Sequence, residues 1–317
     1  MRPTSIVSSR LSSFSRPLFI RPHRAIGIPA LPHHRYHPTR VNPVKMSSTR
    51  ASKRQKPVHD DGDNNNNPFR LVYWPTLPGR GEHIRLAFEA TGTPYIDVAN
   101  KTDEGVQAVL SQIDAKNHGD EHNPPPLAPP VLEHGALTIS QTPNILLYLG
   151  PKLGLVPDAA EDPFGAYHVN ALTLTALDGL SNETHDVHHP VATGLYYEDQ
   201  KPEALKKAKD YRAQRLPKFL EYFNRVLSGP ASGGGEYLYG GKLTYADLVL
   251  FQCLDGVTYA FPKCLASLRK SGKCDKVFAL YDRVKGLERI KTYLESDRRM
   301  KYGLGIYRYY PELDEDA

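Results

Sequence analysis

The sequence predicts two structural domains: an α/β domain of order β-α-β-α-β-β-α at residues 68–152 and an all-α domain at residues 160–305. Short apolar runs alternate with segments of helical period up to residue 152, and after Pro157 only helical periods remain. A chain of 317 residues also has room for about two domains of ordinary size. Residues 1–67 are basic and low in complexity, so we expect a disordered extension there, and a C-terminal tail at residues 306–317.

The first domain is delimited by proline and glycine residues that end its apolar segments. Pro75 follows the alternating first strand, and Gly92 ends a helix whose apolar face repeats at i, i+3 and i+4. We expect Gly135 in a left-handed hairpin turn, and Thr142 as the N-cap of a helix that has Pro143 at its first position. The predicted elements are strand 69–74, helix 80–91, strand 94–98, helix 103–113, strands 131–132 and 137–139, and helix 141–149. This order is that of a thioredoxin-like domain, in which helices cover both faces of a mixed sheet.

The second domain shows only helical patterns, which predict helices at 163–182, 202–227, 244–257, 277–285 and 287–296. Pro217 lies inside the second of these, where we expect it to kink the helix or to remove a backbone hydrogen bond. Thr244 and Asp247 precede an apolar run with the spacing of a capping box.

Composition and charge exclude several classes of protein. No apolar run approaches the ~20 residues that span a bilayer. The three cysteines are too few for a disulfide scaffold or an all-cysteine metal cluster, and they suit a reducing compartment. Residues 1–59 hold nine Arg and three Lys without any Asp or Glu, which leaves 28 basic against 35 acidic residues in the remainder. The mildly acidic body argues against nucleic-acid binding.

The basic extension has the composition of a mitochondrial transit peptide. From Met1 to about Arg40 it is rich in Arg and Ser, contains no acidic residue and is interrupted by prolines. An untargeted disordered extension is the alternative. Initiation at Met46 would give a shorter, cytoplasmic protein without the Arg-rich head.

Four groups of residues in this chain resemble motifs of the cytosolic-type glutathione transferases. The first group is Leu71-Val72-Tyr73-Trp74-Pro75, followed by Gly79-Arg80-Gly81-Glu82 and Arg85-Leu86. The second is Pro129-Pro130-Val131-Leu132, followed by Ser140-Gln141-Thr142, Asn144-Ile145-Leu146 and Tyr148-Leu149. The third is Asp178, and the fourth is Gly241 with Leu243-Thr244-Tyr245-Ala246-Asp247. They follow in the family's order within residues 69–305 and are most similar to a sigma/pi/mu-like branch of bacteria and fungi. The resemblance implies the glutathione transferase fold, a homodimer, and glutathione as co-substrate with no cofactor.

The resemblance implies that Tyr73 is the catalytic residue. The thiolate of glutathione is the reactive form, and a neutral hydroxyl aimed at the sulfur would lower the thiol pKa. Thr76 is the reserve candidate, and the structural alternative is that Tyr73 simply covers the core. Tyr73 and Arg80 are seven residues apart, whereas the pi-like motif has six, so the extra loop residue would shift the hydroxyl relative to the sulfur.

The resemblance also implies six glutathione-binding residues, namely Arg80, Pro129, Pro130, Gln141, Thr142 and Asp178. Gln141 and Thr142 begin a helix, whose free N–H groups and dipole favour the glutamyl carboxylate. Pro130 matches the family's cis-proline, but Pro129 has no N–H, so one substrate hydrogen bond of ~0.5–1.5 kcal/mol should be missing. Asp178 matches a carboxylate that reaches the glutamyl amine across the dimer, with a solvated helix charge as the alternative. A structural ion pair is the alternative use of Arg80.

The sequence indicates the residues of the electrophile site less directly. Trp74 and Tyr259 are candidates for an apolar wall between the domains, although such aromatics more often belong to the core. His185, His188 and His189 have helical metal-ligand spacing, but a polar helix end is the alternative use of these residues, and we predict no metal site.

The predicted function is conjugation of the glutathione thiolate to apolar electrophiles, as in detoxification. A non-catalytic glutathione-fold binding module is an alternative, and so is a glutathione-dependent isomerase or peroxidase that uses the same site. A thiol oxidoreductase is disfavoured because the first domain contains no cysteine.

Overall fold

The computed structural model describes residues 67–315, in which four strands form a mixed sheet. The strands are β1 (Phe69–Val72), β2 (Tyr95–Asp97), β3 (Val131–His134) and β4 (Leu137–Ser140). Their order across the sheet is β2-β1-β3-β4, with β1 parallel to β2 and antiparallel to β3. The predicted hairpin is confirmed, and Gly135 in its turn has a φ of 60°. The predicted extension lies almost wholly outside the described residues.

Four helices accompany this sheet: α1 (Glu82–Thr91), α2 (Val98–Lys101), α3 (Gly105–Gln112) and α4 (Thr142–Leu153). Gly92 ends α1 in a left-handed conformation, as its position predicted. Strand β1 ends at Val72, two residues earlier than predicted, so Tyr73 and Trp74 begin the loop that leads to α1. The short helix α2 was not predicted.

The rest of the described chain is helical. Its helices are α5 (Gly165–Ala176), α6 (Glu183–His188), α7 (Lys201–Asp210), α8 (Leu216–Ser228), α9 (Tyr245–Ala260), α10 (Pro262–Lys270), α11 (Asp275–Lys285) and α12 (Glu288–Leu294). All five predicted helical regions are present, and α6 and α10 are additions. No helix between residues 67 and 315 is long and apolar enough to cross a membrane.

Two of the predicted helical regions contain a π-helical turn. Leu177–Asn182 joins α5 to α6, and Tyr211–Arg215 joins α7 to α8. Pro217 stands in the first turn of α8, just after the second π turn. Because proline cannot donate a backbone hydrogen bond, the widened turn ahead of it is the distortion that the sequence predicted.

Helix α9 forms the centre of the helical domain, with 13 of its 16 residues buried. The capping box at its start is confirmed, because the Asp247 carboxylate accepts hydrogen bonds from Thr244 N–H and Oγ1, both at 2.8 Å. Helices α5, α11 and α1 pack against α9, and one hydrophobic cluster contains residues of both domains. The site described below lies where these domains meet.

Candidate active site

A cavity of about 400 Å³ lies between the start of α4 and the π turn that follows α5. All six predicted glutathione-binding residues line this cavity, and one of them, Arg80, comes from the loop before α1. The lining residues are Arg80, Ala128, Pro129, Pro130, Gln141, Thr142, Pro143, Leu174, Leu177, Asp178 and Asn182. Of these, Asn182 is a polar residue that the sequence analysis did not select, although it lies one helical turn after Asp178.

The N-terminus of α4 opens into this cavity. Gln141, and not Thr142 as predicted, is the N-cap: its carbonyl accepts the Ile145 N–H at 2.9 Å. Thr142 is already helical, and its hydroxyl donates to the Arg80 carbonyl at 3.2 Å instead of capping α4. Gln141 has φ 72° and ψ 115°, a conformation that is strained for a residue with a side chain and that is typical of ligand sites.

The chain enters β3 through a cis peptide bond between Pro129 and Pro130, as predicted for Pro130. Both prolines line the cavity beside the α4 N-terminus. Pro129 presents a carbonyl oxygen and no N–H, so its backbone is able to accept but not to donate a hydrogen bond.

Arg80 connects the first domain to the π turn. Its guanidinium donates to Asn182 Oδ1 at 2.7 Å, and the Asn182 side-chain amide in turn faces Asp178 Oδ1 at 3.4 Å. Arg80 and Asp178 are both exposed, so the cavity offers one cation and one carboxylate to a ligand. The π turn places Asp178 and Asn182 on this wall, and such widened turns are frequent at functional sites.

Tyr73 lies behind the wall of this cavity and is 7% exposed. Its Oη accepts a hydrogen bond from the Arg80 N–H at 2.9 Å, so the phenol keeps its own proton available for donation. Burial raises the pKa of Tyr73 despite the opposing Arg80 N–H, which keeps the phenol neutral. A Cβ at Gly79 would lie 2.2 Å from this hydroxyl, so only glycine permits this approach of the loop.

The reserve candidate Thr76 is exposed and stands in the same loop with a φ of 61°. Its N–H donates to Asn100 Oδ1 at 3.0 Å, which ties the loop to α2. Neither Tyr73 nor Thr76 is among the residues that line the 400 Å³ cavity.

The structure does not bring Trp74 and Tyr259 together. Trp74 packs on the small cluster of Val72, Val98 and Val109, on the α2–α3 side of the sheet. Tyr259, near the end of α9, stacks on Tyr302 at 5.0 Å between ring centroids and lines a separate cavity of about 690 Å³. The two rings therefore pack in different parts of the fold, and neither lines the 400 Å³ cavity; their role in an electrophile pocket stays a prediction.

The three histidines at the end of α6 form a ring cluster. The centroids of His185, His188 and His189 lie 4.7–5.1 Å apart, and His188 Nε2 contacts the Ile306 carbonyl at 2.9 Å. Burial lowers the pKa of all three, that of His188 to about 3, which favours neutral imidazoles at pH 7. Between residues 67 and 315 no group of three or more His, Cys, Asp or Glu side chains has a metal-binding arrangement.

Comparisons with known proteins point in the same direction as the geometry. Residues 185–297 match the family model described as "Glutathione S-transferase, C-terminal domain". "Glutathione S-transferase Mu 2" of Rattus norvegicus is 28% identical over 234 residues, which cover 73% of this chain and 92% of that relative. "Glutathione S-transferase" of Plasmodium falciparum (isolate 3D7) is 24% identical over 236 residues, which cover 73% of this chain and 98% of that relative.

Solved structures are similar in fold. The Pi-class glutathione S-transferase of Onchocerca volvulus superposes with a TM-score of 0.53 at 22% identity, covering 72% of this chain and 92% of that one. The glutathione S-transferase of Ascaris lumbricoides gives a TM-score of 0.51 at 23% identity, with coverage of 72% and 96%. These superpositions establish a thioredoxin-like domain followed by a helical domain.

Proposed function

Because this chain belongs to the cytosolic-type glutathione S-transferase family, we propose that it conjugates the thiolate of reduced glutathione to an organic electrophile. The observation that carries this proposal is the 400 Å³ cavity that gathers Arg80, Gln141, Thr142, Asp178 and the cis-prolyl turn. The narrower assignment to a bacterial and fungal branch stays a prediction, as does a role in detoxification.

The cavity offers a complementary group to each charged end of glutathione. The start of α4, with free N–H groups and the positive end of the helix dipole, suits a carboxylate, and Arg80 supplies an exposed cation. Asp178 suits the glutamyl amine. The Pro129 carbonyl would accept the cysteinyl N–H, but Pro129 has no N–H to donate in return. We therefore expect weaker glutathione binding than a non-proline residue would give, by ~0.5–1.5 kcal/mol.

Tyr73 is the proposed hydrogen-bond donor to the sulfur. Its neutral phenol, polarised by the Arg80 N–H at 2.9 Å, would donate its proton to a thiolate and lower the pKa of the bound thiol. Since the Gly79–Arg80 backbone covers this hydroxyl, the sulfur would reach it at the edge of the loop. Thr76 is the second candidate, because it is the exposed hydroxyl of the same loop.

The electrophile would sit beyond Asn182, the last residue of the π turn, on the side from which α6 continues the chain. His185 follows Asn182 by three residues, so the two side chains lie on neighbouring turns of one helical face. The His185 side chain is 26% exposed and mainly neutral because burial lowers its pKa. An otherwise apolar electrophile that carries a carbonyl oxygen would accept a hydrogen bond from this imidazole.

We also propose that the protein is a homodimer. Large apolar side chains are exposed on the described chain: Leu127 is 88% exposed, Phe164 and Tyr167 at the start of α5 are 65% and 69% exposed, and Leu174 in the cavity wall is 40% exposed. Where such groups form a patch they mark interaction surfaces, and a second copy of the chain is the proposed partner. Size-exclusion chromatography with light scattering that gave a monomer at micromolar concentration would refute this proposal.

The compartment is a separate proposal that rests on the basic extension. We expect the chain that starts at Met1 to enter mitochondria and a chain started at Met46 to stay in the cytoplasm. A protease-protection assay on isolated mitochondria tests this: if the full-length chain stays accessible to protease, the extension is not an import signal.

A non-catalytic glutathione-binding module is the second candidate function. Two observations favour it, namely the missing N–H at Pro129 and the enclosure of the Tyr73 hydroxyl by the Gly79–Arg80 backbone. An isomerase or peroxidase that uses the same thiolate is a further alternative within enzymes.

The deciding experiment is the ultraviolet absorbance of bound glutathione thiolate, titrated with pH in wild type and in Tyr73→Phe. The transferase proposal expects a depressed thiol pKa in wild type that returns toward ~8.5 in the variant. A depressed pKa that survives the substitution would transfer the role to Thr76 or to a backbone N–H. Binding of glutathione without any change in thiol pKa would favour the non-catalytic module.

A further inference from the structure

A buried arginine, Arg85, donates hydrogen bonds to the loop between β1 and α1, residues 76–81. Arg85 Nη1 donates to the Leu77 carbonyl at 3.1 Å and approaches the Pro78 carbonyl at 3.4 Å. The Glu82 N–H donates to the same Pro78 carbonyl at 2.9 Å. Since this loop presents the Arg80 N–H to Tyr73, its position sets the geometry of the proposed thiolate site.

Arg85 is shared between the loop and two carboxylates. Its Nη1 contacts Glu82 Oε2 at 3.0 Å and its Nε donates to Asp97 Oδ2 at 2.8 Å. Arg85 and Glu82 are fully buried. One guanidinium therefore faces two negative charges in a medium where an uncompensated charge is costly.

A second cation reaches the Glu82 carboxylate from the helical domain: it is Arg299, which follows α12. Its Nη1 lies 2.5 Å from Glu82 Oε1, and its Nη2 contacts Asp255 Oδ2 at 2.8 Å. The Tyr293 hydroxyl donates to the same Glu82 oxygen at 2.6 Å. Burial alone would raise the pKa of Glu82, but the Arg299 and Arg85 charges outweigh burial and lower it.

We propose that Arg299 is a positioning residue for the transferase reaction: by neutralising Glu82 it leaves Arg85 available to the carbonyls of the 76–81 loop. This inference rests on the proposed function. Without Arg299, Arg85 is the remaining cation among the described residues that contacts the Glu82 and Asp97 carboxylates. The guanidinium is then drawn toward the carboxylates, since charge-assisted hydrogen bonds are stronger than those to neutral carbonyls. The loop loses its support, and the Tyr73 hydroxyl and the Arg80 N–H lose their alignment.

The test compares Arg299→Met with a matched control, Arg298→Met. Arg298 is the preceding residue, and it also pairs with a carboxylate of α1, that of Glu89, but its own side chain is 45% exposed. Both variants remove one cation that links the same segment to the same helix. Only the Arg299 substitution removes a cation from the buried Glu82 carboxylate, which Arg85 also contacts.

Two readouts separate loop position from general stability. The first is the pKa of the bound glutathione thiol together with kcat and KM for glutathione. The second is acrylamide quenching of Trp74, the single tryptophan of the chain, which directly follows Tyr73 and is half-buried. Trp74 reports on the start of the loop whether or not glutathione binds.

For Arg299→Met we expect the thiol pKa to rise by about one unit, which lowers kcat about tenfold below that pKa. We expect KM to change less than kcat, and Trp74 quenching to increase. Arg298→Met should leave all of these measurements within about twofold of wild type. If Arg299→Met lowers the melting temperature but leaves both the thiol pKa and the quenching unchanged, Arg299 is merely structural and the proposal is wrong.

The double variant Glu82→Gln/Arg299→Met covers the case in which the single variant does not fold. Removing the Glu82 charge removes the need for Arg299, so Arg85 should return to the loop. We expect quenching and thiol pKa close to wild type. A folded double variant with a loosened loop would overturn the charge argument. If wild type itself does not lower the thiol pKa, the proposed function fails, and the quenching comparison still decides whether Arg299 positions the loop.

Discussion

His83, at the start of α1, is the most informative single substitution for the stability of this fold. Its imidazole is 0% exposed, and neither Nδ1 nor Nε2 has a hydrogen-bond partner among the described residues. Burial lowers the pKa of His83 to about 3, with Glu82 opposing this shift and Arg80 and Arg299 adding to it. The folded protein therefore holds a neutral, unpartnered imidazole.

The size of the effect follows from linkage between protonation and folding. In the unfolded chain His83 titrates near its ordinary pKa of 6.5, so between pH 6.5 and 3 the unfolded state binds a proton that the folded state does not. The stability is therefore fully present above pH 6.5 and is lost as the pH falls. The loss from His83 is about 1.4 kcal/mol at pH 5.5 and about 2.7 kcal/mol at pH 4.5.

His83→Leu should remove this pH dependence. At pH 7.5 we expect the free energy of unfolding to stay level or to rise by up to ~2 kcal/mol, because two unpartnered polar atoms are replaced by apolar ones. At pH 5.5 the variant should gain a further ~1.4 kcal/mol over wild type. Other titrating groups, such as Asp247, are common to both proteins and cancel in the difference.

The assay is urea unfolding at fixed protein concentration across pH 7.5 to 5, with His168→Leu as the control. His168 is an exposed histidine of α5, so its replacement should leave the pH slope unchanged. Parallel curves for wild type and His83→Leu would refute the reasoning, since they would mean that His83 is solvated or protonated in the folded state.

Three further predictions follow from particular contacts. Gly256→Ala in α9 should lower stability by ~1–3 kcal/mol in thermal melts, because its Cβ would lie 2.4 Å from the Tyr307 ring; Gly303→Ala, with no atom within 4 Å, is the neutral control. Asp247→Ala should cost ~2–4 kcal/mol in chemical unfolding, since its carboxylate accepts three hydrogen bonds at the start of α9. His185→Phe should reduce kcat/KM about tenfold for an α,β-unsaturated ketone and much less for an aryl halide, if the imidazole donates to the carbonyl; equal losses on both substrates would exclude that role.

The parts of the fold that the sequence predicted are those with local signals. Gly135 marked the β3–β4 turn because a left-handed residue is needed there, and Thr244 with Asp247 marked the start of α9 through side-chain capping. Helix α10 was missed because it follows α9 after a single residue, Phe261, and has only one fully buried apolar position, Leu265. A short helix of this kind is held by tertiary contacts and leaves little periodicity in the sequence.

The residues that line the cavity were predictable for a similar reason. Gln141, Thr142, Pro130 and Asp178 lie in short motifs whose spacing fixes their place on a turn or a helix. The cap of α4 was assigned one residue too late, because Thr is the commoner cap and nothing in the sequence indicated that Gln141 would adopt a φ of 72°. Asn182 was missed, yet its i+4 spacing from Asp178 was a usable signal.

The network beneath the loop was not predictable from the sequence, because its partners are distant in the chain. Glu82 and Tyr293 are 211 residues apart, and Arg299 lies farther still. The same network supports the loop between Tyr73 and Arg80. This loop contains two left-handed positions, Thr76 and Gly79, and its Leu77 carbonyl accepts a hydrogen bond from Arg85. An irregular loop of this length has few internal hydrogen bonds, so its conformation depends on the charges of the helical domain as much as on its own sequence. The departure from the family spacing and the buried Glu82–Arg299 pair are therefore best understood as parts of one arrangement.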